Sequence, residues 1–475
     1  MLWCANMTPW VAVRAAAAIG IASLFFPFLA CSGQGPSSGG GGASGGSGAV
    51  GTHAPLPQVE NNGGGILTAP EIVTVTYAPS QYANVNQADA PTFVSDLQAF
   101  DDGITSTSWW TTVTKDYCGT AGCVGQPGPH VSIAAAPPGD GTSTCDTVNG
   151  QSVQPCYTDS AIGGTASLKT YLTGLFNAGT LPAPTAQTLY VIYMPSSVVI
   201  NVDGALSCVT IGGYHDSVGV GTLDVPYAII PLCEPEAVAG NTPQLSLEQT
   251  ATLAASHEIV EATTDPHGGE VPPGGNPYST QYLGWYLTDA ASQPWAFFAG
   301  GEIADLCVDI LGLGQDRWTE GQFTYQRVWS NSQAAASQDP CVPTPAGDVY
   351  FNAGPTTVED EQIELSQGQS ASLPIAAFSN GPMPNWLVMG ADNTDAEGNP
   401  LGVLTFTPSI TAPTAVQNGL LLSLQVTLVK QPPAQAGEPA GTPPFEPYLI
   451  LSLFASDAGA VTAGHYWPGF VIGSQ

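Results

Sequence analysis

His257, Glu258 and Glu261 place one imidazole and two carboxylates within about one helical turn. At a spacing of four, the His257 and Glu261 side chains leave one face of a helix and can reach a common ion. No Lys or Arg occurs between Tyr171 and Asp316, so no basic side chain nearby in sequence can neutralise these acids. Charged residues make up only 9% of the chain, and the partner this acidic cluster lacks is a divalent cation. The bland alternative is a hydrogen-bonded core histidine beside solvated glutamates. The cation-free surroundings and the apolar helix face at His257 weigh against it.

The stretch His257-Glu258-Ile259-Val260-Glu261 is similar to the H-E-x-x-H helix of zinc hydrolases, with Glu261 standing where the second histidine would be. In such sites the metal acidifies a water and polarises a carbonyl, and the glutamate, here Glu258, takes up and returns a proton. Zinc accepts both imidazole and carboxylate, so His257 and Glu261 qualify as ligands, with calcium as the alternative ion. A third ligand must come from another segment. Glu302, in the stretch 301–307, is the first choice, as a glutamate carried on a second helix. Asp305, three residues on, is either a ligand or an acceptor that orients His257, and Asp265 is a further supporting acid. His267, ten residues after His257, is the runner-up, although Thr264 and Pro266 depart from the extended histidine motif. His215, in Tyr214-His215-Asp216, is a weaker candidate.

The helix that must carry this cluster starts at Ser246, three residues before Gln249, a capping-box spacing. It should end at Asp265, because the residue before Pro266 disfavours the α region. Around it the sequence predicts strands over 72–77, 189–193 and 227–231 and helices over 91–100 and 167–176. Trp109 and Trp110 read as core, and 118–156 as a Gly- and Pro-rich loop region pinned by disulfides. The expected fold is α+β, a mixed-sheet zincin-like metallohydrolase domain over 65–345. Beyond a boundary near 343–347, short runs at 348–351, 370–377, 403–407, 420–430, 448–455 and 466–472 read as strands, with a Pro/Gly-rich loop at 431–444. They predict an all-β, immunoglobulin-like sandwich over 346–475.

With 475 residues the chain exceeds one ordinary core, which favours two folded domains. A formal charge of -32, from 38 acids against 6 bases, excludes a nucleic-acid-binding surface. Residues 1–31 read as an export signal. Arg14 precedes an apolar run from Ala15 to Ala30, and Phe28-Leu29-Ala30-Cys31 is similar to a bacterial lipobox, with Cys31 as the lipid-anchored residue. Residues 32–64, rich in Gly and Ser at their start, form the expected tether. An even set of eight cysteines remains once Cys4 and Cys31 are set aside. In an exported chain these read as disulfides, and sequence neighbours suggest Cys118–Cys123, Cys145–Cys156, Cys208–Cys233 and Cys307–Cys341.

Four features over 63–341 resemble the EXORDIUM / phosphate-induced protein 1-like family. They are Gly63-Gly64-Gly65 leading into the first strand, Trp109-Trp110 before Tyr117, the helix end from His257-Glu258 to Asp265-Pro266, and 301–307 followed by Val328-Trp329-Ser330 and Cys341. The resemblance implies an extracellular or cell-surface protein with disulfides and leaves the activity open. The expected function is a secreted or surface-tethered zinc peptidase acting on extracellular polypeptide. The alternative is a non-catalytic surface protein that binds a cell-wall polymer or another protein.

Overall fold

The computed structural model describes residues 52–82, 92–141, 155–159, 166–202, 204–234, 245–267, 282–311, 314–357, 362–381, 386–391, 402–407, 410–411, 419–430, 448–457 and 460–473. The expected signal, Cys31, the start of the tether, Cys145 and the loop 431–444 lie outside them. The fold is mixed α+β, with mostly strands and some helices.

The first part is built on a five-stranded sheet. Its strands are β1 (Glu71–Tyr77), β2 (Gln126–Ile133), β3 (Thr188–Met194), β4 (Tyr214–Val220) and β5 (Leu223–Pro231). The spatial order is β2-β1-β3-β5-β4. All neighbours are parallel except β4, which runs antiparallel to β5 at the edge. The unbroken burial of Ile72–Tyr77 in β1 and of all of β3 follows from this position, since a central parallel strand is covered on both faces. The helices are α1 (Phe93–Ile104), α2 (Ser108–Cys118), α3 (Ser167–Asn177) and α4 (Leu247–Thr264). Trp109 and Trp110 are core residues, as expected, but they sit on α2, a helix the sequence reading did not anticipate. The expected loop region after Cys118 likewise contains β2.

Helix α4 follows β5 and carries the predicted capping box: Ser246 Oγ accepts from Gln249 N–H, and the Gln249 side chain accepts from Ser246 N–H. It stops at Asp265, before Pro266. Its whole second half is buried, not just one stripe. One side faces the sheet. The other is covered by a hairpin of β6 (Arg317–Glu320) and β7 (Phe323–Gln326). Small hydroxyls dock that hairpin: Ser256 Oγ accepts from Gln326 N–H at 2.9 Å and Thr252 Oγ1 from Thr324 N–H at 3.4 Å.

Among the further helices of this part, α5 (Gln293–Ala299) and α6 (Asp305–Ile310) flank the site, and a short one spans Asn331–Ala335. Helix α6 begins only at Asp305. Residues 301–304, expected within a second helix, form a turn in which Gly301 adopts φ +93°, and Glu302 therefore projects from that turn.

The C-terminal part has two sheets. One is antiparallel, in the order β8-β10-β14-β12, formed by Phe351–Pro355 (β8), Ser370–Ser379 (β10), Leu404–Thr407 (β12) and Leu420–Leu428 (β14). The other is mixed, in the order β9-β16-β15-β11-β13, formed by Gln362–Leu365 (β9), Trp386–Ala391 (β11), Ile410–Thr411 (β13), Tyr448–Asp457 (β15) and Ala460–Gly473 (β16). Gly354 of the first sheet lies under the Trp467 ring of the second, where a Cβ would stand 2.6 Å from the indole.

The two parts are packed together. Trp295 of α5 meets Trp467 at 5.2 Å, edge to face. The end of the expected tether is also built in. Glu60–Asn61 pairs with Trp285–Tyr286, and Val59 exchanges backbone hydrogen bonds with the Asn331 side chain. Ala54 N–H donates to Pro355 O across to the C-terminal part. The apolar residues Ala54, Leu56 and Val59, all buried, explain why this stretch does not remain a free linker.

Cys118–Cys123, Cys208–Cys233 and Cys307–Cys341 are disulfides, and Cys156 is disulfide-bonded too. These bonds suggest an oxidising, extracellular environment. No helix among the described residues is long and apolar enough to cross a membrane. The Cys307–Cys341 bond spans 34 residues and ties α6 to the strand Cys341–Val342. Replacing both cysteines by Ala is expected to cost about 4 kcal/mol on chain-entropy grounds. Urea unfolding of the wild type and the double variant, both oxidised, measures it. Equal midpoints would contradict this.

Candidate metal centre

Helix α4 contributes His257, Glu258 and Glu261, the edge strand β4 contributes His215, and the turn and α6 contribute Glu302 and Asp305. His257, Glu258, Glu261 and His215 are almost wholly buried, and Glu302 is the most open of the cluster with its side chain 16% exposed. Among the described residues, the ion-pair partners of Glu258, Glu261 and Glu302 are imidazoles: His257 and His215 for the first two, His215 for the third.

Each imidazole has one nitrogen tied to a neutral acceptor. His257 Nδ1 lies 2.8 Å from Gln326 Oε1. The Gln326 amide cannot turn over without loss, because its Nε2 donates to Ala304 O at 2.7 Å. Nδ1 is therefore the donor, and Nε2 faces Glu261 Oε2 at 2.9 Å and Asp305 Oδ1 at 3.3 Å. His215 repeats the arrangement: Nε2 lies 3.0 Å from Asp265 O, while Nδ1 faces Glu258 Oε2 at 3.4 Å and Glu261 Oε2 at 3.8 Å. A bare nitrogen lone pair opposite carboxylate oxygens is repulsive. A cation between them, whether proton or metal, makes the contact favourable.

The electrostatics agree. Burial would lower the basicity of both rings, but the acids outweigh it. Glu302, then Glu258 and Glu261, hold His215 well above the ordinary histidine range, and Glu261, Glu258 and Asp305 do the same for His257. Burial pushes the Glu261 carboxyl up against the pull of His257, and pushes Glu302 up to about 8, with the Glu261 charge adding to it. Asp265 is raised mainly by burial. The cluster as a whole attracts positive charge.

A metal ion suits the donors. In a tetrahedral zinc site with bonds of about 2.0–2.2 Å, neighbouring donor atoms stand about 3.4 Å apart. The spacings from His257 Nε2 to Glu261 and Asp305 fall near that value. Glu261 is braced for the role, because its Oε1 accepts from the N–H groups of Ala304 (3.1 Å) and Asp305 (2.9 Å), leaving Oε2 for the imidazoles. Gly213 supplies the room for Glu258: a Cβ there would stand 2.7 Å from Glu258 Oε1.

The structure places the other expected residues as follows. Glu302 sits against His215, at 3.3 Å from Nε2, and groups with His215 and Glu261. Asp305 is beside His257. Asp265 approaches the centre through its carbonyl oxygen, while its carboxylate accepts from Gly284 N–H at 3.0 Å. His267 turns away to Asp224, at 3.3 Å. The weakest sequence candidate, His215, is thus a central member. Gln326 was missed altogether, since a lone glutamine carries no motif. Gln326→Leu is expected to lower metal affinity about 10–100-fold, as loss of such a supporting acceptor does elsewhere. Competition with a coloured chelator measures it, and unchanged affinity would remove Gln326 from this role.

Comparison of the chain with family models, curated proteins and solved structures finds no match.

Proposed function

We propose that this chain is a zinc-dependent hydrolase, a peptidase acting on polypeptide outside the cell. The observation that carries this reading is the pair of imidazoles on separate elements, each with one nitrogen anchored and the other aimed at buried carboxylates. An imidazole donor favours zinc over calcium, which prefers an all-oxygen shell.

In this reading His257, Glu261 and Asp305 hold the ion. A bound zinc supplies a polarised carbonyl and an acidified water. Glu258 is the general base. It takes the proton from the attacking water and returns it to the leaving amine. Gly213 keeps the place of the Glu258 carboxylate clear, with the His215 ring 3.4 Å away. Burial of the cluster excludes bulk water and strengthens these interactions, with approach from the more open Glu302 side.

The architecture we infer is a zincin-like domain followed by an immunoglobulin-like sandwich. Support comes from the mixed sheet with its antiparallel edge strand, the site helix that follows it, and two C-terminal sheets in contact through Gly354 and Trp467. We also read the chain as a distant relative of the EXORDIUM / phosphate-induced protein 1-like family, because two of the motifs that carry that resemblance converge on this centre. Export with a lipid anchor at Cys31 fits the disulfides. The near-complete burial of the donors favours a second reading, a structural metal centre in a non-catalytic surface protein that binds a wall polymer.

Metal analysis of full-length protein purified without chelators tests the proposal. Zinc is expected in the wild type, with loss or strong depletion in His257→Ala. Folded wild type free of metal would end it.

A further inference from the structure

We propose that the centre holds two divalent cations: the first at His257, Glu261 and Asp305, the second at His215, Glu302 and Glu261, with the Glu261 carboxylate shared. The inference deepens the metal-dependent reading above and rests on it.

The donor atoms divide into two groups, each small enough to surround one ion. His257, Glu258 and Glu261 form one, and His215, Glu261 and Glu302 form the other, with all donor atoms of a group within 4.8 Å of one another; at the first ion Asp305, 3.3 Å from His257 Nε2, stands in for Glu258, which is left for proton transfer. Glu261 alone belongs to both. Its Oε2 lies 2.9 Å from His257 Nε2 and 3.8 Å from His215 Nδ1, so the same oxygen looks towards both positions. Each imidazole has its own support, Gln326 for His257 and the Asp265 carbonyl for His215. A single-ion site needs no second supported ring. Glu302 Oε1 adds an independent sign: it is buried without a well-directed hydrogen bond at the edge of the His215 ring, 3.3 Å from the anchored Nε2, and a second ion would draw it toward the open Nδ1 edge.

Charge points the same way. Glu258, Glu261, Glu302 and Asp305 carry four negative charges when ionised, and each stands against one or both of the two imidazoles. One divalent ion with neutral rings leaves net negative charge in a nearly dry site, which is unfavourable. A second ion removes it. Paired ions bridged by a carboxylate, about 3.5–4 Å apart, are an arrangement used by aminopeptidases and by phosphoryl-transfer enzymes. With 38 acids against 6 bases this chain repels phosphorylated polymers, so the two-ion centre points to an amide substrate.

The test is a count. Full-length protein is stripped with chelator, dialysed and titrated with zinc alone, with bound metal read by calorimetry and elemental analysis. Two ions per chain are expected in the wild type and one in Glu302→Gln, which keeps the side chain's size and removes its charge. Near-UV circular dichroism checks that the variant is folded. One ion in the wild type, unchanged in Glu302→Gln, would overturn the second position and leave the first standing. No bound ion would overturn both. Should Glu302→Gln fail to fold, cobalt(II) in the wild type decides: magnetic coupling between two ions is expected, and one uncoupled ion overturns the proposal.

Discussion

Glu258→Gln is expected to lower hydrolysis by about 10²–10⁴-fold while zinc content stays at the wild-type level, because general-base catalysis contributes on that order. The substitution is nearly isosteric, so the clearance at Gly213 is kept. It removes the one carboxylate assigned to proton transfer without touching His257, Glu261 or Asp305. The readouts are turnover of a mixed peptide library and metal content on the same preparation. Loss of activity with metal retained supports the peptidase. If wild type and variant are both inert across broad peptide and glycan substrates, and both are fully loaded, the enclosed centre is structural and the surface-binding reading takes its place.

Removing the metal is the second large effect. Stripping is expected to lower unfolding stability by about 4 kcal/mol per site, compared with protein held at a free zinc concentration about 1,000-fold above Kd. The physical cause is the collection of acids that the ion compensates. Without it, the lone pairs of His257 Nε2 and His215 Nδ1 must take up protons or face carboxylates directly, and Glu261 and Glu302 remain buried beside one another. The same logic predicts that Glu261→Gln recovers part of the loss in stripped protein. It removes a buried charge while its amide oxygen can still accept from the N–H groups of Ala304 and Asp305. Urea midpoints measured with and without chelator check this. Coincident midpoints would show that the cluster is satisfied without an ion.

Local rules were legible. The spacing of Ser246 and Gln249, the proline after Asp265, and the four-residue step from His257 to Glu261 are short-range facts, and the helix follows them. Three of the neighbour-based cysteine pairings hold because close cysteines meet with little loop entropy. The helix at Ser108–Cys118 was hidden, because its tryptophans and threonines have weak helical preference and tertiary burial decides their state. The tether was overextended for a related reason. Residues 52–62 look like linker until Asn331, Trp285–Tyr286 and Pro355 supply partners.

The residue chemistry, the facing of His257 and Glu261, the acidic cation-poor character and the oxidising setting were thus determined by the sequence itself, since each depends on composition or on steps of a few residues. Which distant groups complete the centre was decided only by the tertiary structure. His215 reaches Glu258 across 43 positions and Gln326 reaches His257 across 69, contacts set by how β4 and the β6–β7 hairpin close around α4. Chain spacing holds no record of such closures, because they depend on the packing of whole elements.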